Sequence, residues 1–318
     1  MVDSREQRLR VRAPARLHLG FLELSGRMPR AFASLGVTLE EIATEIEVRR
    51  AAAARIQGLE EERIRGLLAR FRAAWGIPPV EVRVREAIPA HRGLGSGTQL
   101  ALALGTALAR LCGIDAPPRA IAKIAGRGAR SGIGLGAFEQ GGVLLDGGRG
   151  AEEEPPPIVA RLPFPEHWRI LLVFDPAREG LSGAAEGRAF AALPPLAEHL
   201  CGRLCRLTLL AFLPGVARAD LTLAGPAIGE IQRIVGDHFA SFQGGGRFAS
   251  PRVAAAMGAI EQAGIAAVGQ TSWGPTGFAL LPDEDTGRRL LAALEPAFPD
   301  LTFHLLRGRN RGAEVASG

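Results

Sequence analysis

A chain of 318 residues, 47% hydrophobic and 22% charged, has the length for two domains with packed cores and the composition of an ordinary globular protein. Its opening lacks the apolar core of a secretory signal, and no window offers about 18 uninterrupted apolar residues, so a cytoplasmic protein without a membrane partner is expected. A formal net charge of +5 argues against a nucleic-acid partner unless the charge forms a local patch, and Cys112, Cys201 and Cys205 form no Cys-x-x-Cys pair or disulfide framework.

In chain order, TEIEVRR (44–50) and VEVRVRE (80–86) alternate apolar and charged residues and predict strands with one buried face. Between them Ile64, Leu67, Leu68, Phe71 and Trp75 form one helical stripe stopped by Gly76. PAHRGLGSGTQLALALG (89–105) places a glycine-rich loop at the start of a helix whose Leu100, Leu104, Leu108 and Leu111 recur at helical spacing up to Gly113. A second glycine-rich segment spans 126–150, and the acidic, proline-rich AEEEPPPIV (151–159) is the candidate linker. RILLVFD, TGFALLP and LTFHLLR predict strands. Ser250-Pro251 opens a helix ending at Gly264, and TGRRLLAALEPAF predicts another. Cys201 and Cys205 read as buried thiols in an apolar helix, and the tail RGRNRGAEVASG as mobile in its last residues.

The loop carries the clearest chemistry. Its glycines let backbone N–H groups converge on an anion, and the following helix adds a favourable dipole. Ser96 and Thr98 offer hydroxyls to phosphate or metal. The loop contains no lysine, so it is not a P-loop of the GxxxxGK[ST] type. Lys123 is the only lysine in the chain, so an anion clamp must be built from arginine, whose planar fork suits phosphate and carboxylate.

PAHRGLGSGTQ resembles the second motif of the GHMP kinase superfamily, P-x-x-x-G-L-G-S-S-A, and TSWGPTGFAL (271–280) stands where that superfamily carries a late glycine-rich motif. RSGIGLGAFEQGG is similar to the intermediate segment, in which the kinases carry an aspartate that serves the accepting hydroxyl. The matched position here is Gly134, which argues against ordinary hydroxyl phosphorylation. ARLHLGFLELSGRMPRAFASLG, GLGSGTQ, SGIGLGAFEQGG, GLSGAAEGRAF and GQTSWGPTGF together resemble one branch, the β-ribofuranosylaminobenzene 5′-phosphate synthase family. That resemblance runs through most of the chain. It implies a Mg2+-dependent phosphoribosyltransferase of tetrahydromethanopterin biosynthesis that joins phosphoribosyl pyrophosphate (PRPP) to 4-aminobenzoate or 4-hydroxybenzoate, releasing CO2 and pyrophosphate. It also implies an α+β, GHMP-type two-domain fold: a ribosomal protein S5 domain 2-like N-terminal domain (1–155), a ferredoxin-like C-terminal domain (156–318), a cleft between them and a homodimer. The rivals are an ATP-dependent GHMP small-molecule kinase and a non-catalytic nucleotide or RNA binder.

The implied reaction needs cations and N–H donors for the leaving diphosphate, a grip on the benzoate, and electron push from its para substituent. Gly93, Gly95, Ser96, Gly97, Thr98 and Gln99 are expected to hold the pyrophosphate, with Arg92 and His91 flanking it or lying in a solvated turn. Arg16 and His18 alternate in R-L-H-L and share a strand face; they are candidate catalytic groups or a plain strand edge. Arg127, Arg130 and Ser131 form a second basic cluster, for the other phosphate or on a helix face. Glu139, followed by Gln140, is a candidate base or Mg2+ ligand or a structural polar group, and Glu186 is a second candidate carboxylate. Arg178 could hold the benzoate, and Ser182 of the same segment is a candidate phosphate or substrate contact. Ser272, Trp273, Gly274 and Thr276 line a turn-rich motif in which Trp273 would stack on the aromatic substrate or simply pack. His167, His199 and His304 show no ligand-like spacing, and the QGGGRF loop (243–248) receives no role.

Overall fold

The computed structural model describes residues 8–151, 155–180, 183–272 and 274–318; the candidates Ser182 and Trp273 lie outside the described residues. Two long antiparallel strands, β1 (Arg8–Glu23) and β2 (Phe32–Arg50), form the spine. The 44–50 alternation is only the end of β2. Its earlier part is covered on both faces, so it reads as a mixed apolar run rather than an alternating one. The seven-stranded sheet runs β11-β1-β2-β4-β3, using β3 (Arg55–Gln57), β4 (Val80–Glu86) and β11 (Glu314–Ser317). Lower on β2, β5 (Val143–Asp146) pairs with Leu35 to Val37 and is itself paired by β6 (Ile158–Leu162).

Helices α1 (Glu61–Trp75) and α2 (Ser96–Cys112) end at Gly76 and Gly113, as their stripes predict. Both pack on the sheet through a core that includes Val11, Ile46, Phe71, Val82, Leu100 and Leu104. The short α3 (Pro118–Ile124) and α4 (Ile133–Glu139) cover the rest of α2, which explains why that helix is apolar almost all round.

In the second half, β7 (Arg169–Phe174), β9 (Gly277–Leu281), β8 (Val268–Gln270) and β10 (Thr302–Leu306) form a four-stranded antiparallel sheet in the order β10-β7-β9-β8. α9 (Pro251–Gln262) and α10 (Glu284–Ala297) cover one face. Ser250 caps α9 by accepting the Val253 N–H. The other face shares a core with β1 and with α5 (Gly183–Ala192), α6 (Glu198–Leu207), α7 (Leu213–Ala217) and α8 (Leu221–Phe239). A π-helical turn joins α6 to α7, and the run Glu198–Ala217 is long and apolar enough to cross a membrane by length and composition. Here Cys201, Leu204, Leu207, Phe212 and Val216 pack into the shared core.

Two expectations change. The segment beginning at 151 does not remain a linker: from Ile158 it is β6, so β6 and β11 both return to the first sheet from beyond residue 155. The tail is not mobile. β11 pairs with β1 from Leu9↔Ser317 to Arg12↔Glu314, and the Arg309 side chain is fully buried. Its guanidinium meets Glu40 at 2.7 Å, Glu314 at 2.8 Å and the Gly312 carbonyl at 2.8 Å. A tail rich in arginine reads as solvated; paired carboxylates are what bury it. The two chain crossings between the sheets are also joined: Asn310 accepts the Phe164 N–H (2.7 Å) and donates to the Phe164 carbonyl (2.9 Å).

Candidate active site

After β4 the chain turns through left-handed backbone at His91 (φ 57), Gly93 (φ 75) and Gly95 (φ 85) before α2 begins. Buried Leu94 anchors this loop. Arg16 pins it to β1: its backbone N–H donates to the Leu94 carbonyl (3.1 Å) and its Nη1 to the Gly93 carbonyl (2.6 Å). No side chain caps α2, so the first N–H groups of the helix face a cleft of about 660 Å³. Ser96, Gly97, Thr98, Arg63, Arg127 and Glu186 are among the residues that line it.

The late glycine-rich loop buttresses the cradle. A Cβ at Gly93 would lie 2.4 Å from the Thr271 carbonyl oxygen, and one at Gly274 2.5 Å from the Arg92 carbonyl carbon, so the two loops touch backbone to backbone. The Thr271 hydroxyl donates to the Gly93 carbonyl (2.9 Å) and accepts the His18 N–H (2.9 Å). Ser272 and Gly274 reach the cleft. Thr276 does not: it is fully buried and donates to the Arg92 carbonyl (2.8 Å), so its expected substrate role becomes a support for the loop.

Several other expected contacts are likewise structural. Arg92 spends its guanidinium on the carbonyls of Asp175 (2.6 Å), Pro176 (3.2 Å) and Arg178, clasping the loop to the end of β7. The Arg178 side chain is exposed and does not line the cleft. Ser131 donates to Asp146 (3.2 Å) and accepts the Ile133 N–H (3.2 Å). Asp146 is fully buried and also accepts the N–H groups of Ser34, Gly132 and Gly148. Gln99 is fully buried and donates to the Gly134 carbonyl (2.7 Å), joining α2 to α4. Glu139 is exposed at the end of α4 and lines a separate groove with Arg110 and Asp115, which removes it as a base or metal ligand for this cleft.

What remains is an arginine-rich cleft with a half-buried carboxylate. Glu186 sits 3.0 Å from Arg130, whose guanidinium lies 4.5 Å from the Phe190 ring centroid. Loss of solvent raises the Glu186 pKa, while Arg130, Arg16 and Arg127 oppose that rise. Burial pulls Arg16 down to about 10, with Glu186 acting the other way. Its Nε is buried without a partner among the described residues, a donor suited to an incoming anion. Sequence reasoning misses Arg63 and Thr271. Arg63 lies on the polar face of an amphipathic helix with no motif around it. Thr271 sits inside a recognised motif, but nothing local shows that its hydroxyl is used.

His18 shares the Arg16 face but lines the adjoining small cavity with Phe21, Gln232 and Gln270. Its Nδ1 accepts the Gly20 N–H (3.3 Å), so Nε2 carries the proton, buried and unpartnered among the described residues. Burial first, then Arg16 and Arg130, lower its pKa from 6.5 to about 3; it is a neutral donor at working pH rather than a base. Unfolded His18 binds a proton near pH 6.5 and the folded residue only near 3, so stability is lost as pH falls through that window. At pH 5 the loss amounts to about 2 kcal/mol. Melting temperatures recorded from pH 7 to 4.5 should show His18→Gln with a flatter acid limb than wild type; parallel slopes would assign the acid lability elsewhere.

The position matched to the kinase aspartate is also closed. A Cβ at Gly134 would lie 3.0 Å from the Thr98 methyl, so Thr98 fills the space a carboxylate would need.

Residues 62–142 match the GHMP kinases N terminal domain and residues 212–300 the GHMP kinases C terminal domain. A β-ribofuranosylphenol 5′-phosphate synthase from Archaeoglobus fulgidus is 31% identical over 96% of this chain and 99% of its own length. The enzyme of that name from Methanothermobacter thermautotrophicus is 31% identical over 95% and 97%. The chain belongs to the β-ribofuranosylphenol 5′-phosphate synthase family. Among solved structures, homoserine kinase from Cytophaga hutchinsonii superposes with a TM-score of 0.67 over 99% of this chain and 98% of its own, at 16% identity, which shows the shared fold. Gly134 itself lies behind Thr98, which lines the cleft and whose methyl would stand 3.0 Å from a Cβ placed there.

Proposed function

We propose that the cleft condenses PRPP with a para-substituted benzoate, 4-hydroxybenzoate or 4-aminobenzoate, releasing pyrophosphate and CO2. The observation that carries this reading is an anion cradle ringed by Arg16, Arg63 and Arg127, with no carboxylate at Gly134 to deprotonate a hydroxyl. The names of the relatives, which specify a phenol product, support the hydroxy acceptor. The bond from the ribose C1 to the pyrophosphate oxygen breaks with its electron pair leaving on oxygen. The ring carbon bearing the carboxylate, made electron-rich by the para substituent, forms the new C–C bond. That carboxylate then departs as CO2, and the pair from the broken C–C bond restores aromaticity.

In this reading Arg16 and the first N–H groups of α2 hold phosphate oxygens. Arg130, kept in place by Glu186 and lying 4.5 Å from the Phe190 ring centroid beside the aromatic cluster of Phe21, Phe190 and Phe239, is the grip for the benzoate carboxylate. Mg2+ fits the donor set. No three of His, Cys, Asp and Glu gather among the described residues, but the cleft offers Glu62, Glu186 and the hydroxyls of Ser96 and Thr98. Mg2+ commonly takes one or two carboxylates and completes its shell with substrate phosphates and water. Bound there it would neutralise diphosphate charge. The same reading includes a cytoplasmic homodimer serving tetrahydromethanopterin biosynthesis.

The test is one incubation of purified enzyme with PRPP, Mg2+ and carboxyl-labelled 4-hydroxy- or 4-aminobenzoate, and a parallel one with ATP. Equal yields of CO2 and pyrophosphate, with no ADP from ATP, are expected. ADP formation without pyrophosphate, or neither product from folded enzyme, overturns the reading.

A further inference from the structure

Gly97 stands where the kinase pattern has its second serine, and the structure shows what takes the place of that hydroxyl. A Cβ at 97 would lie 2.8 Å from Arg63 Nη2 and 3.2 Å from both Cζ and Nη1 of Arg127. Two guanidinium groups, one from α1 and one from the loop after α3, therefore press on the first turn of α2. Arg63 keeps one ion pair, to Glu60 at 2.6 Å. The Arg127 guanidinium makes no hydrogen bond among the described residues, and loss of solvent together with Arg63 and Arg70 lowers its pKa. Like charges held this close repel, and the packing of the fold does not call for them. On the other side of Ser96 the Arg16 guanidinium lies over Gly95, its Cζ 3.3 Å from where a Cβ would stand. Cations thus bracket the loop at Gly95 and at Gly97, over uncapped helix N–H groups and inside the cleft of about 660 Å³.

We propose that Arg63 and Arg127, seated over Gly97 and facing Arg16 across Ser96, form a clamp for a diphosphate, and that this diphosphate is the leaving group of the ribosyl donor. The second half of that statement rests on the proposed function; the anion site does not. Two bracketing sets of cations suit two linked phosphates better than one. When the C1–O bond breaks, the electron pair stays on the diphosphate and its negative charge grows by one, so the arginines bind the departing group more tightly than the intact donor. No proton is required. The substitution of serine by glycine is what admits the second guanidinium, whose fork fits phosphate oxygens.

Calorimetric titration of the full chain with inorganic pyrophosphate, orthophosphate, PRPP and ADP tests the clamp. Arg127→Gln and Arg63→Gln should each weaken pyrophosphate about 10- to 100-fold and orthophosphate much less. Gly97→Ala is the discriminating variant. The added methyl favours the helix and only the mobile ends of two arginines need move, so the melting temperature should hold or rise. Pyrophosphate affinity should nevertheless fall about tenfold, in line with one displaced charge-assisted bond, a combination that a purely structural role does not produce. Gly97→Ala and Arg127→Lys keep the question open to test if a glutamine variant fails to fold. Pyrophosphate affinity within twofold of wild type in Gly97→Ala and Arg127→Gln overturns the clamp, even if the enzyme turns over PRPP. Arginine-dependent pyrophosphate binding without PRPP turnover keeps the clamp and removes the proposed function. Parallel losses for PRPP and pyrophosphate support the leaving-group assignment; losses confined to ADP overturn it in favour of a nucleotide.

Discussion

If the donor is PRPP as proposed, Arg16→Ala should lower its kcat/KM by about 10²- to 10³-fold, the effect of removing one preorganised charged donor. The side chain acts twice: Nη1 holds the Gly93 carbonyl at 2.6 Å, and the guanidinium lies over Gly95 with Nε unpartnered among the described residues. Arg16→Lys keeps a charge but loses the fork, so it should recover only part of the loss. Steady-state kinetics on both variants, with melting temperatures alongside, checks the claim. An Arg16→Ala enzyme within threefold of wild type would place the anion site elsewhere.

Arg309→Leu should be strongly destabilising, costing about 3 kcal/mol, the lower end for breaking a buried ion pair. Its guanidinium is fully buried against Glu40, Glu314 and the Gly312 carbonyl. The lower end applies because Arg311 still reaches Glu40 at 3.0 Å and Glu314 at 3.2 Å, which leaves neither carboxylate unpaired. For a chain of 318 residues the melting temperature should fall by roughly 4–5 °C. Arg311→Leu, whose side chain is largely exposed, should cost well under half as much. Equal losses in the two variants would show that burial is not what makes Arg309 important.

The parts of the molecule legible in its sequence are those whose signals are local. Glycine spacing and the leucine stripe identify the cradle and α2; a cap residue and a proline identify α9. The similarity of five ordered segments identifies the family and, through it, the fold. Site membership is harder to read because it depends on what each polar group meets in three dimensions. Arg92, Gln99, Ser131 and Thr276 all lie in motifs that surround the cleft, yet each is occupied by a carbonyl, a carboxylate or a backbone N–H. Glu139 ends a glycine-rich helix as a base might, but α4 carries it toward the C-terminal end of α2, beside Thr106 and Arg110. Arg63 and Arg127 are more than sixty residues apart in sequence and meet only because α1 and the turn after α3 both pack on the same helix.

The latch between Asn310 and Phe164 has a mechanical meaning. The chain passes between the two sheets twice, once after β6 and once after β10, and Asn310 laces these passages together with a reciprocal pair of hydrogen bonds. Two tethers fastened side by side can bend together but resist twisting. The two sheets also share one buried core, so this lacing adds a polar fastening at the point where both passages leave that core.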